Sequence, residues 1–372
     1  MYWQILKSSS SIQNKAKSLA VYGRLRRGTR IAWAKRFKQV FSRNPQFRKK
    51  LPEEIIREHV SFWAGFRRHV NLCDLKISVN GSEQHDPRIV PEEIFVADIE
   101  PSLNGRKDLS LLANKSLYYK LYEVTLFPTG FLNLIDGRAF GGDLCPLNQE
   151  SLERNLKSLP YPVLSKPSTG TAGGVGVSIS NDSEQLKSQM SRYPDLIVQE
   201  IIEQDEFFHQ FNPHGLNTLR VNLYRSVKDD AIKFLNCALR MGVGGSLDNE
   251  TDGGIVCHID ADGFLTGTAR DKYGVQFDRH PDTHLKFEAQ IPRFQGMKEV
   301  ALTLSEQIPY GRLFSLDMCL DRHGNWRVIE INMHGQTIRF AQYAGDAFFG
   351  PYTEEVVDHC LSHHWAIDLS RR

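Results

Sequence analysis

Residues 313–336 read LFSLDMCLDRHGNWRVIEINMHGQ, the clearest structural signal in this chain of 372 residues. Two apolar or alternating runs flank the turn Arg-His-Gly-Asn, and this pattern predicts a β-hairpin. A four-residue connection sets Asp317 opposite Glu330, and directly opposite side chains of a hairpin project to one face. Asn332 follows Glu330 by two positions and therefore shares that face.

Carboxylate and amide oxygens on one face suit Mg²⁺, which bridges nucleotide phosphates while keeping some of its waters. The alternative is a polar side of the hairpin that faces solvent, as in many antiparallel sheets. Asp317 and Glu330 lie within apolar strands, however, where an unpaired carboxylate is costly. We therefore predict that Asp317, Glu330 and Asn332 are metal ligands.

A glycine-rich loop lies upstream, in residues 161–180 (YPVLSKPSTGTAGGVGVSIS). Glycines let backbone N–H groups approach phosphate oxygens, and Lys166 at the end of the first strand adds a positive charge. Walker and dinucleotide-binding loops need a helix after the loop, whereas the alternating Val175, Val177 and Ile179 predict a strand. We expect a strand-loop-strand hairpin that contacts phosphates, or a β-turn without a ligand. The loop glycines are Gly170, Gly173, Gly174 and Gly176.

The fold class follows from the remaining pattern. From about Tyr161 the chain alternates short β-like runs with glycine-rich turns, and helices are predicted near Ser183–Arg192 and Gly296–Gln307. Residues 71–110 mix short apolar runs with turn residues, and NKSLYYKLYEVTLF predicts a helix that leads into a buried segment. We predict an α+β fold with a large antiparallel content.

The N-terminal part is basic and helical in pattern. Residues 12–70 predict helices that are interrupted near Gly28 and Asn44-Pro45, with Pro52 at the start of the next helix. Residues 1–50 contain fourteen Lys or Arg and no Asp or Glu, whereas the rest of the chain has 32 basic and 44 acidic residues. Such an arm is attracted to an anionic membrane surface or an acidic polysaccharide, or is simply a solvated face. We do not expect a nucleic acid partner.

An apolar stripe runs through this arm at helical spacing, either as an interface-seeking face or as a face that packs on the body. It consists of Trp33, Phe37, Val40 and Phe41. No secretory signal or membrane-spanning run is evident, and the six cysteines lack metal-binding spacing. We expect a cytoplasmic protein, with the inner face of the membrane as a peripheral location.

Seven segments then occur in a characteristic order: SKPSTGTAGGVGV, VQEII, NTLRV, ALRMG, DNETDGG, SLDMCLD and VIEINMHGQ. Together they resemble the ATP-grasp superfamily, in detail its sugar-transfer-associated branch, over roughly residues 100–345. The resemblance implies an ATP-grasp fold, in which two α+β subdomains clasp ATP, here with a basic helical N-terminal extension. The implied regions are 1–70 (extension), 71–145 (pre-grasp), 146–202 (lid), 203–345 (large subdomain with the metal site) and 346–372 (helical tail).

The resemblance also implies roles for single residues. Lys166 resembles the lysine that contacts the α- and β-phosphates, beneath a mobile glycine-rich lid, and Lys115 resembles an upstream lysine of some ligases. Glu200, with the backbone of Ile201 and Ile202, resembles the hinge that binds adenine. Glu206 or Asp205 corresponds to the ribose-binding acid, and Asn249 to an amide near the phosphates or the metal.

Arg220 and Arg240 match cations near the γ-phosphate and an acyl phosphate, although they could instead be ion-pair partners of Asp248 or Asp252. The implied activity is an Mg²⁺-ATP-dependent carboxylate–amine ligase that joins an amino acid to a saccharide-related or other small acceptor. The alternatives are a kinase acting on a sugar-like hydroxyl, with His334 or Asp248 as base, and a non-catalytic nucleotide-binding scaffold.

Overall fold

A computed structural model describes residues 2–8, 10–67, 69–105, 108–170, 174–245 and 253–371 of the chain. Two of the predicted site residues, Gly173 and Asn249, lie outside these ranges. The alternative arginine partners Asp248 and Asp252 lie outside them as well.

Two antiparallel sheets organise the described part of the chain, which confirms the α+β class. The strands are β1 (Gly130–Ile135), β2 (Arg138–Gly141), β3 (Val163–Pro167), β4 (Ser178–Ser180), β5 (Leu196–Gln199), β6 (Thr218–Arg225), β7 (Ile232–Met241), β8 (Ile255–Ile259), β9 (Leu265–Arg270), β10 (Gln276–Phe277), β11 (Leu313–Leu320) and β12 (Trp326–Asn332). The smaller sheet has the order β2-β1-β5-β3-β4, and the larger one β10-β9-β8-β7-β6-β11-β12. Because β1 and β2 precede residue 146, the smaller sheet draws on both the predicted pre-grasp and lid regions.

Helices surround both sheets. They are α1 (Tyr2–Lys7), α2 (Ile12–Arg43), α3 (Glu53–Trp63), α4 (Cys73–Ser82), α5 (Glu92–Ile94), α6 (Glu100–Leu103), α7 (Leu109–Leu112), α8 (Tyr118–Leu121), α9 (Gln149–Ser158), α10 (Ser183–Met190), α11 (Glu206–His209), α12 (Phe294–Glu306), α13 (Arg339–Gln342), α14 (Thr353–Ser362) and α15 (Trp365–Arg371). The two predicted helices after Tyr161 are confirmed as α10 and α12. Within the described residues, no helix has both the length and the apolar content needed to cross a bilayer.

The predicted hairpin at residues 313–336 is confirmed. β11 is buried along its whole length and pairs with β12 so that Asp317 faces Glu330. On its other side β11 pairs with β6, and there Asp317 faces Arg220. The register therefore places Arg220, Asp317 and Glu330 in one row across three adjacent strands.

One prediction about the N-terminal half, the interruption of the helix near Gly28, is wrong. α2 continues through Gly28 as one helix of 32 residues, although it does end at Asn44 as predicted. Gly28 is exposed and a Cβ there would meet no atom, so the glycine costs only about 1 kcal/mol of helix propensity and packing of the opposite face outweighs it. Residues 71–110 form helices with a π-helical turn at Phe95–Ile99, because their apolar residues pack together with α14 in one core.

The basic helix α2 packs on the body through its inner face. Phe37 and Val40 of the apolar stripe are buried against Phe47 and Tyr343, so this stripe is a packing face. Further along, the Tyr22 hydroxyl donates to Asp98 at 2.5 Å. Asp98 also pairs with Arg67 and His364, and this buried network ties α2 to α15 and to the body.

Candidate functional site

A cavity of about 1460 Å³ lies between the two sheets. Most of the predicted site residues in the described part of the chain line it: Lys115, Lys166, Gly174, Glu200, Ile202, Glu206, Arg220, Arg240, Asp317, Glu330 and Asn332. Gly170 and Gly176 are not among the lining residues. Gly176 has a structural reason, since its φ is +82° and a Cβ there would come within 2.8 Å of Pro167.

Lys166 crosses from the smaller sheet to the larger one. Its Nζ donates to the carbonyl of Ile329 at 3.3 Å. This carbonyl is available because Asp317 pairs with Glu330 and Met318 with Val328, so Ile329 is the extra residue of a β-bulge. Burial, together with the neighbouring positive charge of Lys115, lowers the pKa of Lys166 to about 8.

Lys115 pairs with Glu330 across 215 positions of sequence. Its Nζ lies 2.6 Å from Glu330 Oε1, and the lysine side chain is only 9% exposed. Asn114 caps the 3₁₀ turn of Lys115 by accepting a hydrogen bond from the Ser116 amide. The short turn thus fixes the lysine beside the carboxylate.

Asp317 binds both predicted catalytic arginines. Its carboxylate accepts from Arg220 Nε at 2.5 Å and Nη2 at 3.0 Å, and from Arg240 Nη1 at 2.9 Å. Burial alone would raise the pKa of Asp317, but the two guanidinium groups outweigh it and lower the pKa to about 2. In the described structure the carboxylate that neutralises these arginines is therefore Asp317, a residue also predicted to bind metal.

The donor set fits Mg²⁺ in part. Glu330 and Asn332 present oxygen ligands. The Asn332 Nδ2 donor is buried without a hydrogen-bond partner among the described residues, so this amide can also donate to an anionic oxygen such as that of a phosphate. Within the same residues no group of three His, Cys, Asp or Glu side chains could hold a metal ion. Two carboxylates and one amide would thus need additional oxygens, which nucleotide phosphates supply.

The hinge between β5 and α11 forms another wall of the cavity. Glu200 Oε1 accepts from the Thr129 amide at 2.7 Å and from Arg327 at 3.1 Å, so this carboxylate anchors the hinge. In the described structure the backbone groups of Ile201 and Ile202 have no hydrogen-bond partner, and both residues line the cavity. These backbone groups can therefore bind the edge of a purine base.

The two candidate ribose-binding acids differ in their surroundings. Asp205 caps α11, since its side chain accepts from the Phe207 amide at 3.0 Å. Both acids line the cavity, and among the described residues the Glu206 carboxylate has no ion-pair partner. The geometry favours Glu206 for binding a hydroxyl.

Part of the cavity wall, beyond Asp317 and Glu330, was not predicted from the sequence. Thr337, Arg339 and Phe340 line the cavity there, together with His334. Burial lowers the pKa of Arg339 to about 10, with a further contribution from the positive charge of Arg36. The sequence contains a signal for this part of the wall, because residues 337–340 (TIRF) directly follow the predicted metal-binding strand and its loop.

Comparison with protein families identifies the fold. A model of the sugar-transfer associated ATP-grasp family matches residues 95–357. The chain belongs to this family, and its two sheets and the cavity between them form an ATP-grasp fold. No curated protein sequence matches the chain.

Several solved structures are similar at low identity. The biotin carboxylase domain of 2-oxoglutarate carboxylase from Hydrogenobacter thermophilus, solved with MgADP and bicarbonate, is 15% identical with a TM-score of 0.41, covering 71% of this chain and 46% of that one. The D-Ala:D-Ser ligase VanG from Enterococcus faecalis is 14% identical with a TM-score of 0.41, covering 67% and 62%. The L-amino acid ligase from Bacillus licheniformis is 11% identical with a TM-score of 0.38, covering 67% and 46%. This chain spans about half the length of the first structures it matches.

Proposed function

We propose that this protein is an Mg²⁺-ATP-dependent carboxylate–amine ligase that activates a carboxylate as an acyl phosphate. The observation that supports the proposal most is the cluster that Lys115, Lys166, Arg220 and Arg240 form around the carboxylates of Asp317 and Glu330 in the cavity. The other carboxylates that line the cavity belong to the hinge region, residues 200–206. Within the cluster itself the cations outnumber the carboxylates, and this local excess of positive charge suits a polyphosphate.

Each group has a role in this chemistry. Lys115 and Lys166 bind phosphate oxygens, and the backbone of Ile201 and Ile202 binds adenine. Asp317, Glu330 and Asn332 hold Mg²⁺, which when bound neutralises charge on the terminal phosphates. Because phosphoryl transfer depends on positioning and charge stabilisation, no protein nucleophile is required.

The reaction has two steps. An oxygen of the substrate carboxylate attacks the γ-phosphorus, the bond to ADP breaks, and an acyl phosphate forms. The amine then attacks the acyl carbon, phosphate leaves, and the nitrogen loses a proton to give the amide. Arg220 and Arg240 stabilise the negative charge that moves between these oxygens. The cavity wall formed by Gly174, Val175 and residues 177–179 excludes water, which would hydrolyse the acyl phosphate.

The cavity has room for a second substrate. Its volume exceeds the roughly 300–1,000 Å³ of a pocket for one small ligand. His334, Thr337 and Arg339 line the part beyond the carboxylates, and an acidic or hydroxyl-bearing substrate suits them. The family's association with sugar transfer supports an amino acid and a saccharide-related acceptor as the pair.

A kinase that phosphorylates a sugar-like hydroxyl is the second candidate, and His334 favours it. Burial lowers the pKa of this histidine, so its imidazole is neutral near pH 7 and can accept a proton from a hydroxyl.

Product analysis distinguishes the candidates. The protein is incubated with ATP, Mg²⁺ and a pool of amino acids, amino sugars and sugar acids, and products are identified by mass spectrometry together with ADP release. We expect ADP, phosphate and an amide. ADP with a phosphorylated hydroxyl would instead establish the kinase, and the absence of ADP with every mixture would contradict both and favour a scaffold.

Nucleotide binding should depend on pH through Lys166. In the nucleotide-free protein the pKa of Lys166 is about 8, and a bound polyphosphate favours the charged form of this side chain. Nucleotide affinity therefore falls as the pH rises above 8, and nucleotide binding at such a pH takes up a proton. Calorimetry at pH 8.5 in buffers of different ionisation enthalpy measures this uptake, which we expect to be small at pH 6.5. The control is Lys166→Met, which should remove the uptake. Equal uptake in this variant would assign it to another group.

A further inference from the structure

The outer face of α2 carries a continuous row of cations. Lys17, Arg24, Arg27, Lys35 and Lys38 recur at helical spacing and are all exposed. At 1.5 Å per residue the row extends over roughly 30 Å. None of the five has a salt bridge within the described structure.

The acidic side chains that contact α2 do so away from this row of cations. Asp98 binds Tyr22 on the inner face, and Asp271 lies 3.9 Å from Arg43 at the C-terminal end of the helix. Residues 1–50 contain no acidic residue at all. The positive potential of the outer face is therefore not neutralised by its own helix.

Large apolar side chains are exposed on the same basic arm. Trp3 is 65% exposed, Leu6 48% and Ile12 85%, all at the N-terminal end of the arm, and Ile31 within the row is 58% exposed. Lys7 Nζ lies over the Trp3 ring, 5.2 Å from its centre, so the ammonium group and the indole form a cation–π contact. Exposed tryptophan and aliphatic groups among basic residues are typical of helices that lie at a membrane interface.

We propose that this basic outer face of α2, together with Trp3, Leu6 and Ile12, docks the protein on an anionic membrane surface. The cations attract acidic lipid head groups, and the apolar side chains enter the boundary between head groups and acyl chains. An acidic polysaccharide or a nucleic acid would use the cations but offers no apolar phase for Ile12 and Leu6. The membrane therefore accounts for both features of the surface. Because α2 also packs on the body, docking would hold the whole protein at the surface.

Vesicle flotation of the full chain tests the proposal without ATP. We expect binding to phosphatidylcholine vesicles that contain about 30% phosphatidylglycerol, little binding to phosphatidylcholine alone, and release by about 0.5 M salt, where charges are strongly screened. The triple variant Arg24→Glu, Arg27→Glu, Lys35→Glu should bind at least roughly 100-fold more weakly, since each cation near the surface contributes about fivefold. A matched variant with the same change of charge, Lys120→Glu, Lys157→Glu, Arg192→Glu, should bind like the unchanged protein.

The apolar contribution needs a separate variant. Trp3→Ser, Leu6→Ser, Ile12→Ser should weaken vesicle binding but leave binding to heparin unchanged, because heparin measures the charges alone. Circular dichroism shows that each variant is folded. The proposal is overturned if the unchanged protein does not float with anionic vesicles, if the two charge variants bind equally well, or if heparin or RNA is bound while vesicles are not.

Discussion

Replacing Glu330 by alanine is expected to reduce ADP formation by roughly 10³-fold or more, the size of effect that follows loss of a preorganised charge-stabilising group. The variant loses a proposed metal ligand and leaves Lys115 without the carboxylate that lies 2.6 Å away. Lys166→Ala should have a comparable effect, because it removes the cation that bridges the two sheets. Initial rates of ADP release at saturating ATP and Mg²⁺ measure both effects.

The controls separate chemistry from folding. Glu330→Gln keeps the shape of the side chain but not its charge, and it should remain strongly impaired. Glu306→Ala removes an exposed carboxylate at the end of α12, away from the cavity, and should leave the rate unchanged. Thermal unfolding followed by circular dichroism checks that each protein is folded. A folded Glu330→Ala variant with normal turnover would contradict the proposed metal site.

The hairpin of residues 313–332 could be predicted because its signal is local. Turn residues and strand alternation predict the hairpin, and the structure has the predicted pairing of Asp317 with Glu330. The predicted four-residue connection is one residue too short, because residues 321–325 separate the strands and the bulge at Ile329 restores the register. The helices α10 and α12 were equally predictable from short-range periodicity. The helices of residues 71–110 were not, because their apolar residues pack against α14, more than 240 positions away in sequence.

The ion pairs of the site could not be predicted from the sequence. Asp317 has Glu330 on one side and Arg220 on the other, and only the order of strands in the sheet specifies the second neighbour. The bulge at Ile329 likewise depends on pairing between strands, yet it determines where Lys166 is held. Residue types therefore indicate a phosphate and metal site, while the partner of each charge depends on tertiary structure.

Asp317 has an ion-pairing role that the structure shows and a metal-binding role that we propose, and the two predict opposite effects on stability. If its carboxylate served only as a metal ligand, removing it would leave the metal-free protein as stable as before, or more stable, since a buried charge disappears. The structure instead shows the carboxylate bound to Arg220 and Arg240, whose side chains are 11% and 9% exposed. Removing it leaves two buried guanidinium groups without this partner.

Asp317→Ala is therefore expected to destabilise the protein in the absence of nucleotide and metal by about 3–5 kcal/mol, the usual cost of breaking a buried ion pair. Urea unfolding at pH 7 with EDTA measures the free energy of unfolding. Ser315→Ala is the matched control, since Ser315 lies two residues away on the same strand, is buried, and has a hydroxyl without a partner among the described residues. It should change stability by less than about 0.5 kcal/mol, because no hydrogen bond is lost.

The same ion pairs predict how stability depends on pH. The pKa of Asp317 is lowered to about 2 in the folded protein, so its contribution is complete above the unfolded value of roughly 4 and is lost as the pH falls from there towards 2. The difference in stability between the unchanged protein and Asp317→Ala should therefore be constant from pH 5 to 8 and shrink below pH 4. Equal stability of the two proteins at pH 7 would mean that Arg220 and Arg240 do not depend on Asp317, and that the carboxylate acts on the metal alone.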